Sequence, residues 1–406
     1  MSFLFSLAAV IVGAKLLGEL ARRFGQPPVL GELLAGVILG GNALGLVDPR
    51  DPAMHALGEL GLFVLIFQIG LHSDVRSLRR VGVPATMVAI AGVVLPFVGG
   101  FFAARALGVP VVGATIAAAS LTATSMAISA RMLGDKGLLR TKEGRVVLGA
   151  ALTGDVIGLI ILSIVVSLAG GTAMSTAGVA RATAITVGFT AVALGVGWYA
   201  MPPLFRLLSR IRTKGSLGMF AIAFALLVAA LAIASGTGAI IGAFVAGTIL
   251  HPTPQREEIE RTASPIGHLL VPVFFAVVGA SVDLRALGSR PALEIGAALI
   301  VVGVAGKVIA GFAPLNFEGS KLLIGAALVP RGEVGLIFAQ MGLAAGAITP
   351  ELFGAIVLMV VVTTLVAPPL VHAVVRRDDS LDREHAEPRQ SRNPEGGRQT
   401  TAGRRH

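Results

Sequence analysis

Val329-Pro330-Arg331-Gly332-Glu333-Val334-Gly335 interrupts an apolar stretch that runs from residue 319 to 346. Proline lacks the N–H that an interior helical turn donates, and glycine raises the conformational cost of a helix, so the stretch predicts a break. Both charge signs sit inside it. A second stretch, Ala119-Ser120-Leu121-Thr122-Ala123-Thr124-Ser125-Met126, gathers hydroxyls within the apolar run 111–134, at the corresponding place in the first half of the chain. Paired interruptions of this kind are a pattern of secondary transporters built from inverted repeats, whose half-helix ends meet at the bilayer midplane and offer partial charges and free carbonyls to an ion. The plainer alternative is that Pro330 only kinks its helix, while the serines and threonines bond back to their own backbone.

Around these two stretches the chain is written for lipid. It is 54% hydrophobic and 14% charged, with a mean hydropathy of +0.84, and runs long enough to cross a bilayer recur almost from end to end. About thirteen segments are expected, near residues 2–21, 28–46, 56–73, 81–107, 111–134, 146–169, 177–201, 216–235, 237–250, 264–282, 292–314, 319–346 and 351–375. Six helices, a linking seventh and six more fit that number. The predicted fold is therefore an all-α polytopic membrane protein with inverted repeats and two crossed broken helices. The 52 glycines suit helices that pack closely in a membrane.

Basic residues set the orientation. Connections after odd-numbered segments hold Arg22 and Arg23, then Arg76, Arg79 and Arg80, then Lys136, Arg140 and Lys142, then Arg206, Arg210, Arg212 and Lys214, then Arg376 and Arg377. The opposite connections hold chiefly Arg50, Arg285 and Arg290, so the N-terminus is expected outside and the C-terminus in the cytoplasm. This distribution also explains the net charge of +10 without a nucleic-acid surface. The first segment lacks the basic flank of a cleaved signal peptide. Residues 376–406 are too polar to bury a core and are expected to form a disordered cytoplasmic tail. No metal cluster, nucleophile triad or phosphate-cradling loop stands out, so neither an enzyme nor a resident cofactor is expected. The absence of cysteine excludes thiolate sites.

Asp155 lies in the run 146–168, which is otherwise free of charge. An ionised carboxylate at that depth is costly, so its expected work is to exchange protons or hold a cation. Competition of the two for one carboxylate is antiport. A hard monovalent cation takes oxygen ligands, which Thr153, Thr124, Ser125, carbonyls at the breaks and water can supply. Lys307 lies deep in 300–313 and is expected at the same site. Arg331 and Glu333 are expected to neutralise each other and the broken-helix dipoles. Glu32, on the second segment, is a candidate for a gate or for helix packing, and Lys15 and Glu19 have the spacing of a local ion pair.

Several spaced motifs then carry a resemblance. Gly25-Gln26-Pro27-Pro28-Val29-Leu30-Gly31-Glu32-Leu33-Leu34-Ala35-Gly36, Ala123-Thr124-Ser125, Gly144-Arg145-Val146-Val147 leading to Asp155, Pro272-Val273-Phe274-Phe275 with Gly279 and Asp283, Gly306-Lys307, and Pro330-Arg331-Gly332-Glu333-Val334-Gly335 stand in one order. Over residues 1–375 that order resembles the second monovalent cation:proton antiporter family, of Kef and NapA type. The resemblance implies a sodium/proton antiporter fold, with sodium or potassium exchanged for protons. It also implies a homodimer in the inner (plasma) membrane, whose core helices near 81–169 and 264–346 move like an elevator. The dimerisation helices would lie near 1–73 and 177–250, with 351–375 a further candidate. A potassium-efflux channel-like protein and a non-transporting ion sensor are alternatives on the same scaffold. Efflux members usually bear a nucleotide-binding domain, which a tail of residues 376–406 is too short to contain.

One departure stands beside the binding aspartate. Similar members tend to carry two adjacent acids, or an amide before the acid, where this chain reads Thr153-Gly154-Asp155. In two-acid members the first carboxylate pairs with the lysine matching Lys307. Without that partner, Lys307 is expected to take part in proton release or to turn to Asp155 itself.

Overall fold

The computed structural model describes residues 3–41, 43–72, 82–169, 176–209, 211, 213 and 215–377, excepting the side chains of residues 155, 156, 159, 160, 162–169, 176–180, 182 and 183. The expected tail beyond 377, the basic connection 73–81 and residues 210, 212 and 214 lie outside the described residues. Within the described part every expected segment is helical. In chain order these are α1 (Phe3–Arg23), α2 (Pro28–Leu39), α3 (Pro52–His72) and α4 (Gly82–Ala106). The fifth segment divides into α5 (Val111–Ser120) and α6 (Met126–Asp135), followed by α7 (Lys142–Ala169), α8 (Thr176–Leu208), α9 (Ser216–Ala234), α10 (Ala239–Leu250) and α11 (Arg256–Ala280). A short α12 (Leu284–Leu287) precedes α13 (Arg290–Ala310), the twelfth segment divides into α14 (Lys321–Ala327) and α15 (Glu333–Ala344), and α16 (Pro350–Arg377) closes the bundle.

Among the described residues, eight helices are long and apolar enough to cross a membrane alone. α2 and α10 are not. Each has 12 residues, about 18 Å of helix, against a hydrocarbon core of about 30 Å. They are also copies of one pattern. Leu30-Gly31-Glu32-Leu33-Leu34-Ala35-Gly36-Val37-Ile38-Leu39 matches Ile241-Gly242-Ala243-Phe244-Val245-Ala246-Gly247-Thr248-Ile249-Leu250 in its small residues. Each copy follows a glycine in the left-handed region, Gly25 at φ 72° and Gly236 at φ 84°, a conformation only glycine adopts without strain.

The copies exchange partners reciprocally. A Cβ on Gly70 of α3 would overlap the Phe244 carbonyl of α10, and a Cβ on Gly279 of α11 would overlap the Leu33 carbonyl of α2. Leu33 and Phe244 occupy equivalent places in the repeated pattern. Thus α2 answers to α10 and α3 to α11, seven segments on, and the breaks in the fifth and twelfth segments obey the same offset. Because seven is odd, equivalent helices cross in opposite senses, and the repeat is inverted.

Packing sorts the helices into two groups. α1, α2, α3, α9, α10 and α11 pack together; α4 to α7 and α13 to α16 form the other group, and α8 touches α7, α9 and α10. This differs from the boundaries the resemblance implied. α11, expected among the core helices, packs on α2 and α3 because its glycines admit their backbones. α16, a candidate for the dimerisation set, packs on α13, α14 and α15. Its Thr364 hydroxyl reaches the Arg331 carbonyl at 2.6 Å. Val88, Val147, Ala151, Ile324, Ala327 and Val371 meet in a core cluster within the second group, while its Ile116, Leu299, Leu336 and Phe353 join a larger cluster with Phe67, Phe244 and Phe274 of the first.

At the end of α1 the expected Lys15–Glu19 pair does not form. Glu19 accepts instead from both the Nε and Nη2 of Arg22 at 2.7 Å, a two-point fit that a lysine cannot offer. Asp283 caps α12 by accepting from Arg285 N and Ala286 N.

Candidate functional site

The two breaks meet. α5 ends at Ser120 and α6 begins at Met126; α14 ends at Ala327 and α15 begins at Glu333. Where they cross, Ser125 N donates to the Pro330 carbonyl at 3.1 Å, and a Cβ on Gly332 would overlap Ser125. A side chain at 332 would hold the two breaks apart. Gly332 itself has an ordinary extended backbone, φ −129° and ψ −152°, so its smallness here serves contact rather than conformation.

The hydroxyls divide between the two expectations. Ser120 and Thr122 bond back to their own backbone, at Ala117 O and Ala119 O, both 2.7 Å. Thr124 and Ser129 reach across, to Leu328 O at 3.4 Å and Ala327 O at 2.7 Å. Carbonyls at the end of α14 thus receive donors from the other half of the chain, as buried backbone groups require.

Three charged side chains surround the crossing. Arg331 is 1% exposed and donates through Nη1 to Ala123 O at 2.9 Å and through Nη2 to Gly303 O at 3.0 Å. Its expected partner Glu333 is not bonded to it. Glu333 opens α15 and lies beside the Ser125 hydroxyl. The two charges therefore serve different helix ends: the cation faces carbonyls just beyond α5, and the anion sits at the N-terminus of α15, each where the helix dipole favours it. Lys307, 3% exposed on α13, donates to Thr122 O at 2.8 Å and lies against Gly92 of α4.

α7 passes alongside, packed on α4, α5, α6, α14 and α15. It carries Thr153, Gly154 and Asp155. The Thr153 hydroxyl donates to Gly149 O at 2.8 Å, which leaves its oxygen lone pairs as acceptors. Gly154 is buried, yet a Cβ there meets none of the described atoms within 4 Å. The side chain of Asp155 lies outside the described residues. Glu32 belongs elsewhere. It is buried on α2 against Gly18 of α1, in the other packing group.

Sequence reasoning overlooked Ser129, Thr364 and Glu143. Ser129 and Thr364 carry no signal of their own, since a hydroxyl in an apolar helix usually bonds back, as Thr363 does to Met359 O at 2.7 Å. Glu143 was masked by its basic neighbours Lys142 and Arg145, which read only as topology.

The sequence profile of the family described as sodium/hydrogen exchanger, transmembrane, matches residues 6–377. The chain belongs to this family. Among individual exchangers, it is 36% identical to the high-affinity Na(+)/H(+) antiporter NhaS3 of Synechocystis, over 91% of this chain and 89% of that protein. It is 33% identical to the Na(+)/H(+)-K(+) antiporter GerN of Bacillus cereus, over 91% and 95%. In three dimensions it is similar to the sodium proton antiporter MjNhaP1 of Methanocaldococcus jannaschii, with a TM-score of 0.68 at 17% identity over 90% of this chain and 94% of that one. The last similarity speaks for the fold.

Proposed function

We propose that this exchanger is a secondary active antiporter that swaps a monovalent cation, sodium first and potassium as an alternative, for protons at Asp155. The observation that carries the reading is the crossing at Ser125 and Gly332, where two interrupted helices leave carbonyl and hydroxyl oxygens beside α7. A monovalent cation needs such oxygens and one negative charge. Asp155 supplies the charge, with Thr153, Thr124, Ser125 and the carbonyls of the breaks as neutral ligands. When the cation leaves, a proton takes its place, because a naked carboxylate at that depth is expensive to carry across the bilayer. That penalty couples the two fluxes.

The two packing groups supply the moving parts of an alternating-access cycle. In this reading the α4–α7 and α13–α16 group rises and falls as an elevator against the group of α1–α3 and α9–α11, which forms the homodimer contact. The protein would work in the plasma membrane, with its N-terminus outside. Lys307 already donates to Thr122 O, and a lysine that keeps its proton throughout makes the exchange one for one.

In proteoliposomes, an imposed sodium gradient drives proton movement through the parent protein, and Asp155→Asn abolishes it. Exchange that survives Asp155→Asn would sink the assignment. Current without obligatory exchange would mark a channel instead, and cation binding without flux a sensor.

A further inference from the structure

Glu143 opens α7 between Lys142 and Arg145, yet it is only 2% exposed. Its Oε1 accepts from the Ser320 backbone N–H at 3.1 Å. Ser320 caps α14 in turn, its hydroxyl accepting from Leu323 N. The other oxygen, Oε2, is also buried and has no hydrogen-bond partner among the described residues. Desolvating a carboxylate for so few bonds is unfavourable, so a solvated surface acid would serve solubility better. The fit is close. A Cβ on Gly319 would overlap Glu143 Oε1, and one on Gly311 would overlap the Lys321 carbonyl.

The remainder of the contact between α7 and α14 is small and apolar. Val147, Ala150 and Ala151 share a buried cluster with Leu323, Ile324 and Ala327. Burial of that kind is non-directional; it rewards area and leaves register loosely set. The bond from Ser320 to Glu143 is directional. It grips one end of α14, a half-helix of seven residues, while the carbonyls of Ala327, Leu328 and Pro330 at the other end meet Ser129, Thr124 and Ser125. On α7, residue 155 lies about 18 Å beyond residue 143 at helical rise. Two rods clasped at one end thus carry the broken-helix carbonyls and the exchanging aspartate at the other. α13, which bears Lys307, leads into the same clasp.

We propose that Glu143 is a positioning residue for the exchange site, setting the register of α14 against α7 and so the separation of the broken-helix carbonyls from Asp155. It rests on Asp155 being that site. The test measures the cation KM and Vmax separately for the full chain in proteoliposomes. Glu143→Ala raises the KM about tenfold or more, the scale on which loss of an outer support weakens an ion site, with a much smaller change in Vmax. Glu143→Gln keeps an amide oxygen for Ser320 N–H and stays near the parent KM. Gly319→Ala leaves the acid in place but drives it off its seat, so it raises the KM likewise and serves if Glu143→Ala fails to assemble. A parent-like KM in the available members of that pair, or a fall in Vmax at constant KM, would overturn the proposal. So would a Gln variant as impaired as Ala. Asp155→Asn in the same assay keeps the two readings apart: surviving exchange removes the parent reading, whereas silence there with an unmoved KM in Glu143→Ala removes this one alone.

Discussion

Arg331 and Lys307 share a habit: each buried cation donates to backbone carbonyls around the breaks. Removing Arg331 strands the acceptor Ala123 O in the break, at about 1–3 kcal/mol, and takes a second donor from Gly303 O, which stays in the helical ladder of α13. We expect Arg331→Met to lower the detergent-solubilised unfolding temperature clearly and Arg331→Lys, which restores one donor, to fall between; a Met variant as stable as the parent would refute that role. For Lys307 the prediction concerns charge. Each extra charge moved per cycle couples to the membrane potential by about 2.3 kcal/mol per 100 mV. With one proton per cation, exchange by the parent protein is insensitive to a clamped potential. A voltage dependence that vanishes in Lys307→Gln would instead give the lysine the second proton. The candidate residues stood out in the sequence because charges and prolines are rare in apolar runs. Partners were not. Whether Arg331 meets Glu333 two residues away or Ala123 O more than two hundred away depends on the crossing of helices, which local spacing does not encode.

At the scale of elements, both breaks follow from Pro330, Gly332 and the hydroxyl cluster, and the structure places them at 121–125, inside the expected 119–126, and at 328–332, overlapping the expected 329–335. The roles of the hydroxyls differ more than their chemistry. Ser120 bonds within its own helix and Ser129 bonds to α14, so Ser120→Ala should be nearly neutral while Ser129→Ala costs about 1 kcal/mol; equal effects on unfolding temperature would contradict the assigned bonds. The inverted repeat left a readable trace in the paired patterns of α2 and α10. Glu32 stands opposite Ala243 there, and one buried acid against one methyl makes the match easy to pass over. α11 misled for another reason. Its apolar periodicity resembles that of any buried helix, and only the glycine contacts with α2 and α3 decide which group receives it.

Across the whole molecule, the alternation of basic connections predicts the direction of every crossing. The chain contains no cysteine, so one introduced thiol reports its own side of the membrane. Ser2→Cys should react with an impermeant maleimide added to intact cells, and Ser380→Cys only after permeabilisation; the reverse pattern would invert the assigned orientation. The bond from Ser125 N to Pro330 O has a bearing on how the protein is made. It joins positions 205 residues apart, from 125 to 330. A ribosome delivers the first break to the bilayer long before its counterpart exists, and hydrocarbon offers its open carbonyls nothing. Biogenesis therefore passes through a stage in which the first half is inserted but unfinished, stable only with the help of water, lipid headgroups or a chaperone. Separately synthesised halves would then be driven to find each other by the bonds that Ser125, Ser129, Lys307 and Arg331 make between them in the folded protein.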